Sequence, residues 1–275
     1  MLQLKLYYLM KNYLNNFNKI RHFLPRSSKS LGPKVLLDKI KYKILDLFFL
    51  KKRITSFKRI KLEDWNNFAL RLNPKLNIES ERYLKSHLNK LSLIEKNIPF
   101  KMGGAAAIKI CYFLVRFLKP DTVLETGVAI GHSSRAILSG LKINKKGILY
   151  SSDLPYLSQK NAKKYIGIIV EKKLKLKWKL FVGQDVENLT LINKKINKID
   201  FLHYDSDKSY HGRKVAIELI ENKLSSDYIL MMDDIEDNPF FFDFVKTRKL
   251  PYKIFIVDNK YVGLTGKSKL IFNFD

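Results

Sequence analysis

Acidic or amide side chains recur through the second half of this chain, each just past a short apolar run: Glu125, Asp153, Gln184 with Asp185, Asp205, and Asp233 with Asp234. In a parallel sheet the C-terminal strand ends open onto one edge, and ligands bind there. Carboxylates gathered on that edge repel one another. Their recurrence therefore asks for a hydroxyl-rich ligand or a cation in front of them. A carboxylate has two acceptor oxygens, enough for an adjacent pair of hydroxyls. Several hard oxygen donors together suit Mg²⁺ or another divalent ion. Lys208 and His211 follow Asp205 closely.

The stretch from Thr122 to Ser134 must position these groups. Val123 and Leu124 read as a buried strand, Glu125 as its end, and Gly127 and Gly131 as a tight turn. Ser133 and Ser134 read as N-cap residues of the next helix. A strand, a glycine turn and a helix N-terminus present free N–H groups to a small polar ligand. The spacing Glu-x-Gly-x-x-x-Gly lacks the third glycine of the dinucleotide fingerprint.

This stretch resembles motif I of class I S-adenosylmethionine-dependent methyltransferases, especially the catechol and caffeoyl-CoA O-methyltransferases and their bacterial relatives. The resemblance covers roughly residues 100–275. It implies that Glu125, Gly127 and Gly131 line the methionine part of the cofactor and that Ser133 meets its carboxylate. It implies that Asp153 takes both ribose hydroxyls and that Gln184 and Asp185 lie near the adenine, with Met102 and Gly103 passing beside the cofactor and Asp205 close to it. The metal-dependent relatives hold a divalent cation at positions matching Asp205, Asp233 and Asp234; the last departs from the pattern by carrying Asp for Asn. Lys208 matches the general-base lysine of the catechol-type enzymes, with His211 the second candidate, while His203 reads as a packed core histidine. The implied activity is methyl transfer to a small-molecule acceptor, through a hydroxyl oxygen. The alternatives are a nucleic-acid methyltransferase and a non-catalytic membrane-associated module that keeps the fold.

Alternating apolar runs and helical stretches predict a doubly wound, mostly parallel sheet of the α/β class. The expected strands are 147–152, 178–182, 199–204 and 228–232 after the first, then a hairpin of 252–257 and 261–264. Helices are expected over 105–118, 158–171, 186–196 and 211–222 and from Pro239, with a last strand over 269–274. With the hairpin the resemblance implies seven strands in a Rossmann-like methyltransferase fold. Residues 1–99 read as a helical N-terminal extension and 100–275 as the methyltransferase domain. Within the extension, 25–33 reads as a linker, 35–50 as a basic amphipathic helix, and 62–93 as helix broken at Asn73-Pro74 and restarting near Ser80.

The 275 residues suffice for one large domain and an appendage. A single cysteine, Cys111, excludes an internal disulfide framework and fits a reducing, cytoplasmic compartment. The five histidines, His87 among them, show no metal-type spacing. No apolar run reaches the length of a membrane span, although residues 35–53 could lie on an anionic membrane surface. The net charge of +26 comes from lysine spread over nearly every polar face, a compositional bias that disfavours a dedicated nucleic-acid site. A homodimer is a further expectation.

Overall fold

The structure is a computed structural model, and it describes residues 60–95, 97–100, 102–104, 107–156, 159 and 161–273. The expected linker and amphipathic helix before residue 60 lie outside that range. Helices α1 (Trp65–Leu72) and α2 (Pro74–Glu95) are followed by α3 (Ile108–Leu118). Then come β1 (Thr122–Thr126), α4 (His132–Asn144), β2 (Ile148–Asp153), β3 (Trp178–Val182) and α5 (Asp185–Asn193). After them run β4 (Ile199–Tyr204), α6 (Tyr210–Ile220), β5 (Leu224–Met232) and α7 (Phe240–Arg248). The hairpin β6 (Tyr252–Val257) and β7 (Lys260–Gly266) and the short α8 (Lys269–Phe272) complete the chain.

The seven strands form one sheet in the order β3-β2-β1-β4-β5-β7-β6. The first five are parallel, and β7 enters antiparallel between β5 and β6. Adjacent residues of each central strand feed opposite faces, as the two-residue side-chain period requires. Val123, Phe201 and Ile229 pack into one core; Leu124, Leu202 and Leu230 pack into the other. Helices cover both faces, which is why these strands read as continuous apolar runs. The order reverses between β1 and β4, so a ligand crevice is expected at their C-terminal ends.

Helix α1 is not a loose appendage. The Trp65 ring meets Phe113 of α3 edge-on at 5.4 Å and Phe255 of β6 at 5.1 Å. The side chain of Asp64 caps α1 by accepting from Asn67 N. Asn73 does the same for α2 by accepting from Leu76 N. Pro74 then sits at the first helical position, where its missing N–H costs nothing. The helix therefore restarts at Pro74 and runs through Ser80, whose buried hydroxyl donates to Asn77 O.

Three further expectations are corrected. Helix α3 begins at Ile108, because Ala107 stands left-handed at φ +59°. Residues 269–272 form a helical turn and no final strand. Where a helix over 158–171 was expected, the described residues form a 3₁₀ turn at Ala162–Tyr165, and a second one, Lys175–Lys177, leads into β3. Here Gly167 adopts φ +64°, and the Trp178 ring lies 2.2 Å from where a Cβ would stand. Its N–H donates to Ala129 O and that of Ile169 to Ile130 O. These amides bond the glycine loop, so they are not available for a helical ladder.

Candidate active site

Loop 127–131 joins β1 to α4 and lies between the ends of β2 and β4. Gly127 donates its N–H to Ser152 O at the end of β2 and adopts φ +84°. A Cβ there would stand 2.4 Å from the Asp205 carbonyl oxygen. Only glycine allows this approach. Gly127→Ala therefore combines a left-handed φ with a backbone clash, and the expected loss is at least about 2 kcal/mol. Urea unfolding checks this; an unchanged midpoint would show that the loop is not held against β4.

Gly131 takes the N-cap position of α4 at φ +102°. Ser133 and Ser134, expected as caps, lie inside the first turn, and their hydroxyls turn back to Glu125. Ser133 Oγ donates to Glu125 Oε1 and Ser134 Oγ to Oε2, both at 2.6 Å. Ser151 of β2 adds a third donor at 2.8 Å. Glu125 is 0% exposed, because β1 continues one residue past it. The carboxylate expected on the rim thus sits beneath it, bracing α4 and β2 against β1.

Asp153 ends β2 and stands on the rim. Its Oδ1 accepts from Val128 N at 2.9 Å and Ala129 N at 3.5 Å. Its Oδ2 is buried and has no partner among the described residues. Burial pushes its pKa up, and the two amides only partly offset this, leaving it at about 7. A buried acceptor with nothing to accept from is costly. The vacant lone pairs fit hydroxyls of a ligand lying over the glycine loop.

The neighbouring groups close around that loop. Gly103 packs on Ala129 and donates its N–H to the Tyr156 hydroxyl at 2.9 Å, while Met102 is buried. Asp185, the first residue of α5, accepts from Ser152 Oγ at 2.6 Å. Gln184 precedes it, half-buried and without a capping bond from its side chain. On the far side of α4, Arg135 donates to His87 Nδ1 at 2.8 Å, which leaves His87 Nε2 to donate to His132 at 3.0 Å. Burial and the Arg135 charge lower the His87 pKa to about 3, so it stays neutral. His87, without a partner pattern in the sequence, ties α2 to the helix that follows the glycine loop.

The ends of β4 and β5 carry a second cluster. Asp205 and Lys208 form an ion pair, and Lys208 Nζ also lies 3.0 Å from Asp234 Oδ2. Lys260, at the start of β7, reaches Asp234 Oδ1 at 3.0 Å. Burial pulls the Lys208 pKa down, but the charges of Asp205, Asp234 and Asp233 outweigh it and hold the amine above its ordinary value. Lys208 is thus an ammonium, a hydrogen-bond donor and a poor base. His211 lies in the first turn of α6, half-buried.

His203 faces Glu125 Oε1 at 3.7 Å on one side and Asp233 Oδ1 at 3.6 Å on the other. Burial opposes its charge, yet the two carboxylates raise its pKa to about 10. It is buried, as a packed histidine should be, but it is the cation between two buried acids. Arg213, fully buried, donates to the backbone carbonyls of Asp233 and Asp234. It holds Asp234 at φ +51°. Sequence spacing points to neither residue: His203 sits in an apolar strand and Arg213 on a helix of mixed polarity. Ser151 gave no signal either, since its role depends on the pairing of β1 with β2.

Residues 124–235 match a family model described as a methyltransferase domain. Among solved structures, a methyltransferase from Geobacter sulfurreducens is 19% identical, covering 66% of this chain and 90% of that one with a TM-score of 0.50. A Podospora anserina methyltransferase in its SAH-bound form is 14% identical, covering 70% and 95% with a TM-score of 0.52. An O-methyltransferase from Bacillus cereus in complex with SAH is 14% identical, covering 66% and 89% with a TM-score of 0.50. Comparison with curated proteins finds no match. The solved structures share the expected α/β fold with this chain, and its central part resembles a methyltransferase domain. The matched region, 124–235, is the part of the chain that holds the glycine loop, Asp153 and the β4 and β5 clusters.

Proposed function

We propose that this protein transfers a methyl group from S-adenosylmethionine to a hydroxyl oxygen of a small-molecule acceptor. The observation that carries the cofactor assignment is Asp153: one carboxylate oxygen is fixed by the amides of the glycine loop, and the other is buried without a partner among the described residues. That donor-hungry oxygen fits a ribose diol, which offers two O–H donors to one carboxylate. The two relatives with bound SAH, the demethylated form of the cofactor, support the same reading.

The residues divide the work. Asp153 binds the ribose, Gln184 and Asp185 border the adenine, and loop 127–131 admits the ligand close to the backbone. Ser133 lies in the first turn of α4, where N–H groups favour a carboxylate. Glu125 acts beneath them, holding Ser133, Ser134 and Ser151 in place. Met102 and Gly103 flank the loop, with Gly103 held by Tyr156. When bound, S-adenosylmethionine supplies an electrophilic methyl on a sulfonium. Lys208 and Asp205 stand where an acceptor oxygen would approach from the β4 side. Lys208 donates to that oxygen and steadies its growing negative charge. His211 takes the hydroxyl proton.

Calorimetry with SAH tests the reading. The full chain is expected to bind one SAH with a dissociation constant in the micromolar range, about −8 kcal/mol. A chain that gives no heat and no thermal shift with SAH is not a methyltransferase of this kind.

A further inference from the structure

Asp205, Asp233 and Asp234 stand together on the ends of two adjacent parallel strands, β4 and β5. Three carboxylates so placed are a natural cradle for a divalent cation, provided their oxygens are open. In this chain two of the three, Asp205 and Asp234, are engaged by lysines. Lys208 pairs with Asp205 and lies 3.0 Å from Asp234 Oδ2. Lys260 lies 3.0 Å from Asp234 Oδ1 and 3.3 Å from Oδ2. Both oxygens of Asp234 therefore face an ammonium. The grouping of possible ligands that does come together among the described residues is His203, Asp205 and Asp233, and it leaves Asp234 out. Within it, Asp233 Oδ1 faces His203, whose other ring nitrogen faces Glu125. A divalent ion entering here would have to displace Lys208 from Asp205 and then sit beside that lysine's charge.

We infer that this site carries its own cation: Lys208, seconded by Lys260 through Asp234, fills the position a divalent metal would take, and the protein works without one. This rests on the methyl-transfer reading of the same site for its functional meaning, but the occupancy of the carboxylates stands independently of it. Lys260 is then a positioning residue. It arrives from the hairpin and holds Asp234 so that Lys208 remains between two acids.

The test titrates Mn²⁺ and Mg²⁺ into the full chain by calorimetry, with SAH binding measured separately in EDTA. The wild type is expected to show no saturable metal site below about 1 mM and an SAH affinity unchanged by EDTA. Lys208→Met combined with Lys260→Met, checked for folding by circular dichroism, is expected to gain one Mn²⁺ site at least tenfold tighter than any in the wild type. Asp205→Asn added to that pair should abolish it. Saturable wild-type binding of one Mn²⁺ that Asp205→Asn removes would overturn the inference. So would a folded double variant that still takes no metal, since the lysines would then not be what excludes it. If the double variant does not fold, Lys208→Gln alone serves, with the same gain expected and its absence counting against the inference. Loss of SAH binding in the wild type would instead strike the methyl-transfer reading and leave the metal result to stand alone.

Discussion

Asp153→Asn is expected to raise the stability of the ligand-free protein at pH 8 and to weaken SAH binding at least about tenfold, or about 1.4 kcal/mol. The two effects have one cause. Burial lifts the Asp153 pKa from 3.8 to about 7 in the folded protein. An acid whose folded pKa is raised holds its proton more tightly in the native state. Its stabilising contribution is complete below pH 3.8 and disappears as pH rises through about 7. At pH 8 the folded protein carries a buried carboxylate with a vacant oxygen, at a cost on the order of 4 kcal/mol at most, taking about 1.4 kcal/mol per pH unit. Asparagine removes the charge and can still accept from Val128 N. The melting temperature at pH 8 should therefore rise by a few degrees, about 2–4 °C per kcal/mol for a domain of this size. The gain should vanish near pH 4. The ligand sees the opposite: an amide N–H₂ cannot accept from a ribose hydroxyl. For the same reason wild-type affinity for SAH should increase between pH 6 and 8. A variant that binds SAH as tightly as the wild type would remove the ribose assignment, whatever its melting temperature.

His203→Ala is expected to be the most destabilising of the substitutions considered, by about 3–5 kcal/mol. It leaves Glu125 and Asp233 buried without the cation between them. Glu125 retains its three serine hydroxyls, whereas Asp233 Oδ1 has no hydrogen-bond partner among the described residues. Urea unfolding at pH 7 measures the loss. The pH dependence makes the assignment specific. A histidine whose pKa rises from 6.5 to about 10 contributes stability that is complete below pH 6.5 and is lost progressively up to about pH 10. The wild type should lose stability over that window, and the gap to His203→Ala should narrow with it. A gap that stays constant from pH 6 to 10 would mean the imidazole is neutral and merely fills space.

These two residues show different kinds of legibility. Asp153 is readable because it closes a strand and precedes a turn, at the edge of a parallel sheet where ligands bind. His203 has no such signature. In sequence it is a polar residue inside an apolar run; its register places it against Glu125, and its side chain reaches Asp233 from the next strand. Lys260 is similar. It reads as part of a hairpin turn, and Asp258 and Asn259 do form that turn with both residues left-handed. Its ion pair with Asp234 depends on β7 inserting beside β5. The missing helix between β2 and β3 failed for a related reason. Local propensity favours a helix there, but the amides of Gly167 and Ile169 bond the glycine loop.

The sequence by itself determined the class of the sheet, most strand limits, the glycine loop and the acids at the strand ends, because each follows from local pattern: apolar period, turn chemistry and capping. Tertiary structure alone decided what faces those acids. It buried Glu125 under three serines, left one oxygen of Asp153 without a partner among the described residues, set His203 between two carboxylates and brought Lys208 and Lys260 to Asp234. Those outcomes depend on which strands become neighbours and in what register, and a side chain's partner across a sheet lies dozens of residues away along the chain, where no local periodicity reaches.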